Sequence, residues 1–250
     1  YNPSNAPLMR GGVECPHCGG SMSNEDIREK IKNGEFEYSI YGVSYQTPDG
    51  EYEFRAGKNI DTESMEKAAE RVESDFDMMD FLSEPIPSGK KTDEMRNYGM
   101  EQWRDILTPR QLVTNYEYLK AFDHYKEEIK QKYDPKKAEL ILIILSLISS
   151  RSLSFNTRLT KWTDKAGAPM SIFTDNNFAL KKMAGDNNLS TSRKGWVKRS
   201  DQIIDSYEKI AEYSQNSSPA EVWQHDASNI SGVQKEGSID VAIVDPPYYS

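Results

Sequence analysis

The residues best suited to chemistry are Asp245-Pro246-Pro247-Tyr248, which follow the apolar run Ser238-Ile239-Asp240-Val241-Ala242-Ile243-Val244. An exocyclic amine such as that of adenine is a weak nucleophile, because its lone pair is delocalised into the ring. A carboxylate can accept one of its N–H groups, and a backbone carbonyl can accept the other. Two consecutive prolines hold the backbone stiff and extended, which frees the Pro246 carbonyl to point into a site. The Tyr248 ring that follows can stack on a flipped base. Acceptor, rigid carbonyl and stacking platform therefore stand within four positions. They suit methyl transfer from a sulfonium to an amine. Positioning of this kind lowers a barrier by roughly 7–11 kcal/mol in the best-oriented cases. Two plainer readings compete: a proline turn that closes a strand, and a Pro-Pro-x-Tyr ligand for a WW domain, which would need an exposed extended segment.

A second constellation is Cys15-Pro16-His17-Cys18-Gly19-Gly20. The Cys-x-x-Cys spacing is that of half a zinc ribbon. Tetrahedral zinc takes four ligands, and the chain has no second cysteine pair. A free thiol pair is the alternative. Arg193, Lys194, Lys198 and Arg199 surround Trp196. They could meet a DNA phosphate and a base, or form a solvated loop around one buried Trp. Arg151, Arg158 and Lys161, near Asn156 and Trp162, form a further candidate set to face a cleft.

The elements that must position these residues are legible from periodicity and turn chemistry. Ser23-Asn24-Glu25-Asp26 predicts a helix start, with acids at the positive end of the dipole. Aromatic runs at 36–45 and 52–54 flank Pro48-Asp49-Gly50 and predict a hairpin. Asp61 to Asp80 is expected to be helical, with Met65, Ala68, Ala69, Val72 and Phe76 on one face. Pro85, Pro87, Gly89 and two lysines read as a linker. Thr108-Pro109 predicts a helix to about Tyr133, and Asp134-Pro135 opens the next. That second helix, Ala138 to about Arg151, is apolar nearly all round and is expected in the core. Residues 162–188 read as irregular, and Ser200-Asp201 as the start of another helix. Ala220–Asp226 and Ser238–Val244 read as strands, the second delivering Asp245 at its carboxyl end. In α/β sheets, ligands bind at that edge.

Composition bounds the function. A formal net charge of -9 on 250 residues disfavours broad phosphate binding, so any DNA contact needs local basic patches. Mean hydropathy is -0.76, polar for a compact globule. The longest apolar run, around Leu140–Ile148, is too short for a bilayer, so no membrane partner is expected. No signal peptide is visible, and one cysteine pair argues against a disulfide scaffold, so the expected location is the cytoplasm.

The chain resembles the adenine-specific DNA methylases that contain a zinc ribbon. The resemblance rests on Arg10-Gly11-Gly12 before Cys15-Pro16-His17-Cys18-Gly19, on Tyr98-Gly99-Met100-Glu101-Gln102-Trp103, and on Leu107-Thr108-Pro109-Arg110-Gln111-Leu112. It continues through Ser154-Phe155-Asn156-Thr157-Arg158-Leu159 before Trp162, and His225-Asp226-Ala227 before Val244-Asp245-Pro246-Pro247-Tyr248-Tyr249. It implies an α/β fold: a partial Rossmann-like, S-adenosylmethionine-dependent methyltransferase core with a large, mainly helical insertion and a zinc-ribbon half-knuckle plus β-hairpin. It implies three regions: a knuckle and hairpin module over 1–90, a mainly helical region over 91–215, and the start of a truncated catalytic core over 216–250. DNA is the implied substrate, with S-adenosylmethionine and zinc as cofactors. Asp245, Pro246, Pro247 and Tyr248 would be catalytic, Asp226 would lie near the cofactor adenine, and Cys15 and Cys18 would hold metal. The cofactor glycine motif and the other two zinc ligands would lie before residue 1, so this stretch is expected to be inactive alone. Partner proteins of a restriction or phage-defence system would fit the same resemblance. Two alternatives stay open: a zinc-knuckle nucleic-acid-binding module without catalysis, and an amino-methyltransferase acting on RNA or cytosine N4.

Overall fold

The computed structural model describes residues 8–9, 11–15, 17–163, 167–174, 184–190, 195–226 and 237–245. Contacts group the chain into two compact units, Tyr1–Ser206 and Tyr207–Ser250.

The first unit begins with β1 (Leu8–Met9), β2 (Gly12–Glu14) and β3 (Ser21–Ser23), paired antiparallel in that order. A side chain at Gly12 would place its Cβ 2.3 Å from the Met22 carbonyl oxygen on the neighbouring strand, so the close pairing requires glycine. Helix α1 (Asn24–Lys32) starts where the acids predict. Ser23 Oγ accepts the Asp26 N–H at 3.1 Å, and the Asp26 carboxylate accepts the Ser23 N–H at 2.9 Å, a capping box.

The hairpin is shorter than the aromatic run suggests. Strands β4 (Gly42–Gln46) and β5 (Tyr52–Ala56) pair from Gly42↔Ala56 to Gln46↔Tyr52, while Phe36, Tyr38 and Tyr41 precede the ladder. Gly50 closes the turn with φ of 88°. Arg55 then grips Asp61 through two hydrogen bonds of 2.6 and 2.8 Å, and Asp61 also accepts the Lys58 N–H at 2.8 Å. One carboxylate thus caps the next helix and ties it to the hairpin.

Helix α2 (Asn59–Ser74) does not continue to Asp80. Asp75 is extended, and its carboxylate accepts the Met78 N–H at 3.1 Å to start α3 (Phe76–Asp80). The local side-chain cap outcompetes helix propagation. The break re-aims the faces: Met78 is fully buried, whereas Phe76, expected inside, is exposed.

The expected linker is packed structure. Ile86 is buried, its N–H donates to the Glu101 carbonyl at 2.8 Å, and Pro85 bridges to Gln102. The short α4 (Asp93–Arg96) and a 3-10 turn (Trp103–Ile106) complete this loop. The prolines remove donors without opening the chain, because Glu84 and Leu82 carbonyls accept the Trp103 and Arg104 N–H groups.

Helix α5 (Pro109–Lys132) begins at the Thr108 cap, and α6 (Pro135–Leu153) begins at the Asp134 cap, as predicted. One core cluster joins Val72, Met78, Leu107 and Leu112, and a second joins Ile86, Met95, Met100 and Leu159; Ile106 packs against both. Helix α6 is less buried than its composition suggests. Only Ala138, Ile148 and Ser152 are buried on it, and α5 is the helix packed along it. Ile143 and Leu147 stay half exposed beside a groove of about 660 Å³. β6 (Trp162–Thr163) and β7 (Ala168–Pro169) form a minimal hairpin in the irregular region. Helix α7 (Trp196–Ser214) starts four residues before the expected Ser200.

The two expected terminal strands are not formed among the described residues. Residues 218–226 and 237–245 carry no strand assignment, and the described strands all belong to antiparallel hairpins. A strand needs a neighbour for its backbone N–H and C=O groups. Val222, Val241, Ile243 and Val244 are exposed. No helix among the described residues is long and apolar enough to cross a membrane.

The Arg55–Asp61 joint gives a pH signature. The Arg55 guanidinium, and then the Lys58 N–H, hold the Asp61 carboxyl down at about 2. Its folded pKa lies below the unfolded one, so its stabilisation is complete above the ordinary carboxyl range and is lost as pH falls through about 2. Asp61→Asn is expected to flatten the loss of stability between the ordinary carboxyl range and that value. Urea midpoints that fall with acid equally in both proteins would refute this.

Candidate functional site

The knuckle is built by its own backbone. The Gly19 N–H donates to the Cys15 carbonyl at 2.9 Å, and the Cys15 N–H to the Gly20 carbonyl at 2.7 Å. Gly19 takes φ of 70°, the left-handed region open to glycine. A Cβ on Gly20 would lie 3.3 Å from Cys18 Sγ, so the second glycine leaves room for the sulfur. The Cys15 sulfur accepts the backbone N–H groups of Cys18 and His17 and then the Cys18 thiol, and these bonds lower its pKa from the ordinary thiol range. A thiolate held by N–H donors is the form that binds a soft divalent metal. Cys15 is partly buried and Cys18 is exposed, and neither is in a disulfide. The donor set fits zinc as half a site: Cys15 and Cys18 would supply two ligands. Among the described residues no group of three or more His, Cys, Asp or Glu side chains converges as a metal site.

A second polar centre was not singled out as a site by residue chemistry, although the resemblance quotes its parts. The first turn of α5 and the loop after α6 meet there, 45 residues apart in sequence. Gln111 Nε2 donates to Asn156 Oδ1 at 3.3 Å and to the Gly185 carbonyl at 3.1 Å, while Gln111 Oε1 accepts the Thr108 N–H at 2.9 Å. Asn156 Oδ1 also accepts the Asn187 N–H at 2.8 Å, and Asn187 Nδ2 donates to the Phe155 carbonyl at 3.2 Å. Thr160 Oγ1 donates to the Thr157 carbonyl at 2.7 Å. Gln111, Asn156, Thr157 and Thr160 are all fully buried. Asn156 Nδ2 has no partner among the described residues. At the rim, Asp186 accepts from Thr108 Oγ1 at 3.3 Å and lies 3.7 Å from Arg110 Nε. Loss of water raises its carboxyl pKa, against the lowering by Arg110 and Thr108. The sequence signal was a polar i, i+3 pair at a helix start, which also reads as an ordinary capping box.

The basic candidates separate. Arg193 and Lys194 lie outside the described residues, and Lys198 is exposed. Arg199 turns inward: it is buried, with its guanidinium 4.2 Å from the Phe155 ring centroid, and burial lowers its pKa, with Arg151 adding to the effect. Arg151 lies 5.0 Å from the same ring. Trp196 packs on Tyr118 at 5.0 Å, so this Trp anchors α7 to α5. Arg158 stacks on Tyr38, 4.8 Å from its centroid, and donates to the Asp105 carbonyl at 2.7 Å.

Of the candidate methyl-transfer residues, Pro246, Pro247 and Tyr248 lie outside the described residues. Asp245 and Asp226 are both exposed, and the Asp226 N–H meets His225 Nδ1 at 2.8 Å. One exposed carboxylate is too little to hold a cofactor the size of S-adenosylmethionine, which needs an enclosing cleft. Cys15 and Cys18 lie in the first compact unit, and Asp226 and Asp245 in the second. No family model matches the chain, and no match was found among curated proteins or solved structures.

Two outcomes follow from these centres. Cys15 is expected to react with iodoacetamide at lower pH than a free cysteine does, as mass spectrometry of its peptide would read; a profile equal to that of free cysteine would show that the N–H donors do not act on Cys15. Gln111→Leu keeps the volume but removes the bonds to Asn156, to the Gly185 carbonyl and from the Thr108 N–H. It should lower stability by about 1–3 kcal/mol in urea unfolding. An unchanged midpoint would mean that the contacts contribute nothing net.

Proposed function

We propose that the chain is a segment of an S-adenosylmethionine-dependent DNA methyltransferase acting on adenine N6. The observation that carries this reading is the tetrapeptide Asp245-Pro246-Pro247-Tyr248 directly after the apolar run 238–244. Asp245 and the Pro246 carbonyl would accept the two N–H groups of the amine, and Tyr248 would stack on the base. Transfer would be direct, with no covalent bond to the base. S-adenosylmethionine would supply the electrophilic methyl group, held by a glycine-rich segment that the resemblance places before residue 1. The apolar side chains of Val241, Ile243 and Val244 support the reading, since a run so apolar is suited to a covered sheet. The joining of Gln111 to Asn156 supports it further, because two stretches of the resemblance form one buried unit.

A second reading is a zinc-knuckle nucleic-acid-binding module without catalysis. It is favoured by the backbone hydrogen bonds that join Cys15 to Gly19 and Gly20, together with the exposed position of Asp245. RNA or cytosine N4 as acceptor would keep the same motif.

The test is methyl transfer by the longer protein that carries the upstream glycine motif, using labelled S-adenosylmethionine and DNA, with the product digested to nucleosides. N6-methyladenine is expected, and Asp245→Ala should reduce it at least about a hundredfold, as loss of a positioned polar contact in a dry site does. Label in cytosine, in RNA alone, or undiminished in Asp245→Ala would overturn the adenine assignment. No label at all would favour the binding module.

A further inference from the structure

Two aromatic pairs flank one loop of the first unit. Phe36 and Tyr38 pack edge to face at 5.4 Å, and Phe54 packs edge to face on Trp162 at 6.2 Å. The loop between them holds Arg158, whose guanidinium lies 4.8 Å from the Tyr38 centroid and 5.9 Å from that of Phe36. Arg158 is fixed by the Asp105 carbonyl and by the Tyr38 hydroxyl. Among the described residues no acidic side chain forms an ion pair with Arg158. Lys161 follows on the same loop and is exposed. The rings are anchored but open: Phe36 is 38%, Tyr38 49% and Phe54 60% exposed.

Nearby acids are largely engaged elsewhere. Glu35 is paired with Lys30 at 2.7 Å. Glu53 accepts the Tyr45 hydroxyl, and in the alternation of β5 it faces away from Phe54. Glu37 is the acid left beside the pair in sequence.

A ligand that matches this surface must present flat π faces and carry negative charge between them. Aliphatic protein surfaces lack the first property, and simple anions have the charge but no π faces. We propose that the Phe36–Tyr38 and Phe54–Trp162 pairs, with Arg158 and Lys161, bind single-stranded nucleic acid, its bases stacking on the rings and its phosphates meeting the two cations. Stacking of this kind tolerates any base sequence, because every base has a π face. The inference rests on the nucleic-acid part of the proposed function and not on its methyl-transfer part. It locates strand contact at Arg158 and Lys161 rather than at Arg199, which is buried.

The test uses the 250-residue chain and a fluorescein-labelled oligothymidylate of roughly 16 nucleotides, read by anisotropy at low and moderate salt. Binding that weakens with salt is expected, with quenching of Trp fluorescence. Tyr38→Ala and Phe54→Ala should each weaken it about tenfold. Tyr38→Phe keeps the ring and should bind within about twofold of the parent, which separates stacking from loss of fold; circular dichroism checks each variant. Absence of methyl transfer by the longer protein, with oligonucleotide binding by this chain intact, would defeat only the catalytic reading. No binding at low salt, binding by both alanine variants equal to that of the parent, or burial of these rings by self-association would overturn the proposal.

Discussion

The hydrogen bond from Gln111 to Asn156 closes the interior of the first unit. Most groups around it are arranged to make a buried amide pair tolerable, with Asn156 Nδ2 the one side-chain amide atom of the pair without a partner among the described residues. Thr108 and Gln111 satisfy the first turn of α5, Gly185 and Asn187 supply the loop side, and Thr157 and Thr160 fold the post-α6 loop back on itself. A buried amide without partners costs about 1–3 kcal/mol, so a half-built version of this joint would be worse than an apolar one. The network therefore specifies one arrangement of α5, α6 and the 184–190 loop. Gly185 shows how tight that arrangement is: a Cβ there would sit 2.2 Å from Pro169 Cγ.

Around this joint the apolar packing is modest and rich in methionine. Met78, Met95 and Met100 are almost fully buried, and unbranched thioethers fill irregular space between short helices and loops. The core is thus assembled from pieces that make few regular contacts of their own. Such a core gains its definition from capped helix starts and buried polar bonds rather than from aliphatic bulk. The knuckle follows the same logic on a smaller scale, with two glycines and three donors fixing one sulfur.

Local rules carried the sequence reading a long way in the helices. Ser23, Thr108-Pro109 and Asp134-Pro135 mark their helix starts because side-chain caps and a proline at the first turn act within a few residues. The reading faltered where a local signal had two outcomes. Asp75 could continue a helix or cap a new one, and its bond to the Met78 N–H selects the second. Pro85, Pro87 and Gly89 resemble a linker, yet Ile86 fills the core. The apolar girth of α6 suggested full burial, but burial depends on neighbours, and α5 covers one side. Tertiary polar contacts were the least legible: nothing in Gln111 or Asn156 alone announces a partner 45 residues away. The expected strands at 220–226 and 238–244 depend in the same way on partners that local sequence does not contain.

Helix α5 runs unbroken from Pro109 to Lys132, so it behaves as a strut of roughly 36 Å. Its first turn is clamped in the amide joint, and its last turn forms one wall of the half-open α6 groove through Lys130. A rigid rod converts a small rotation at one end into a large displacement at the other. Tilting it by roughly 5° at the clamp would carry the far end about 3 Å, comparable to the width of a methyl group. The polar clamp and the apolar groove thus stand near opposite ends of one unbroken helix.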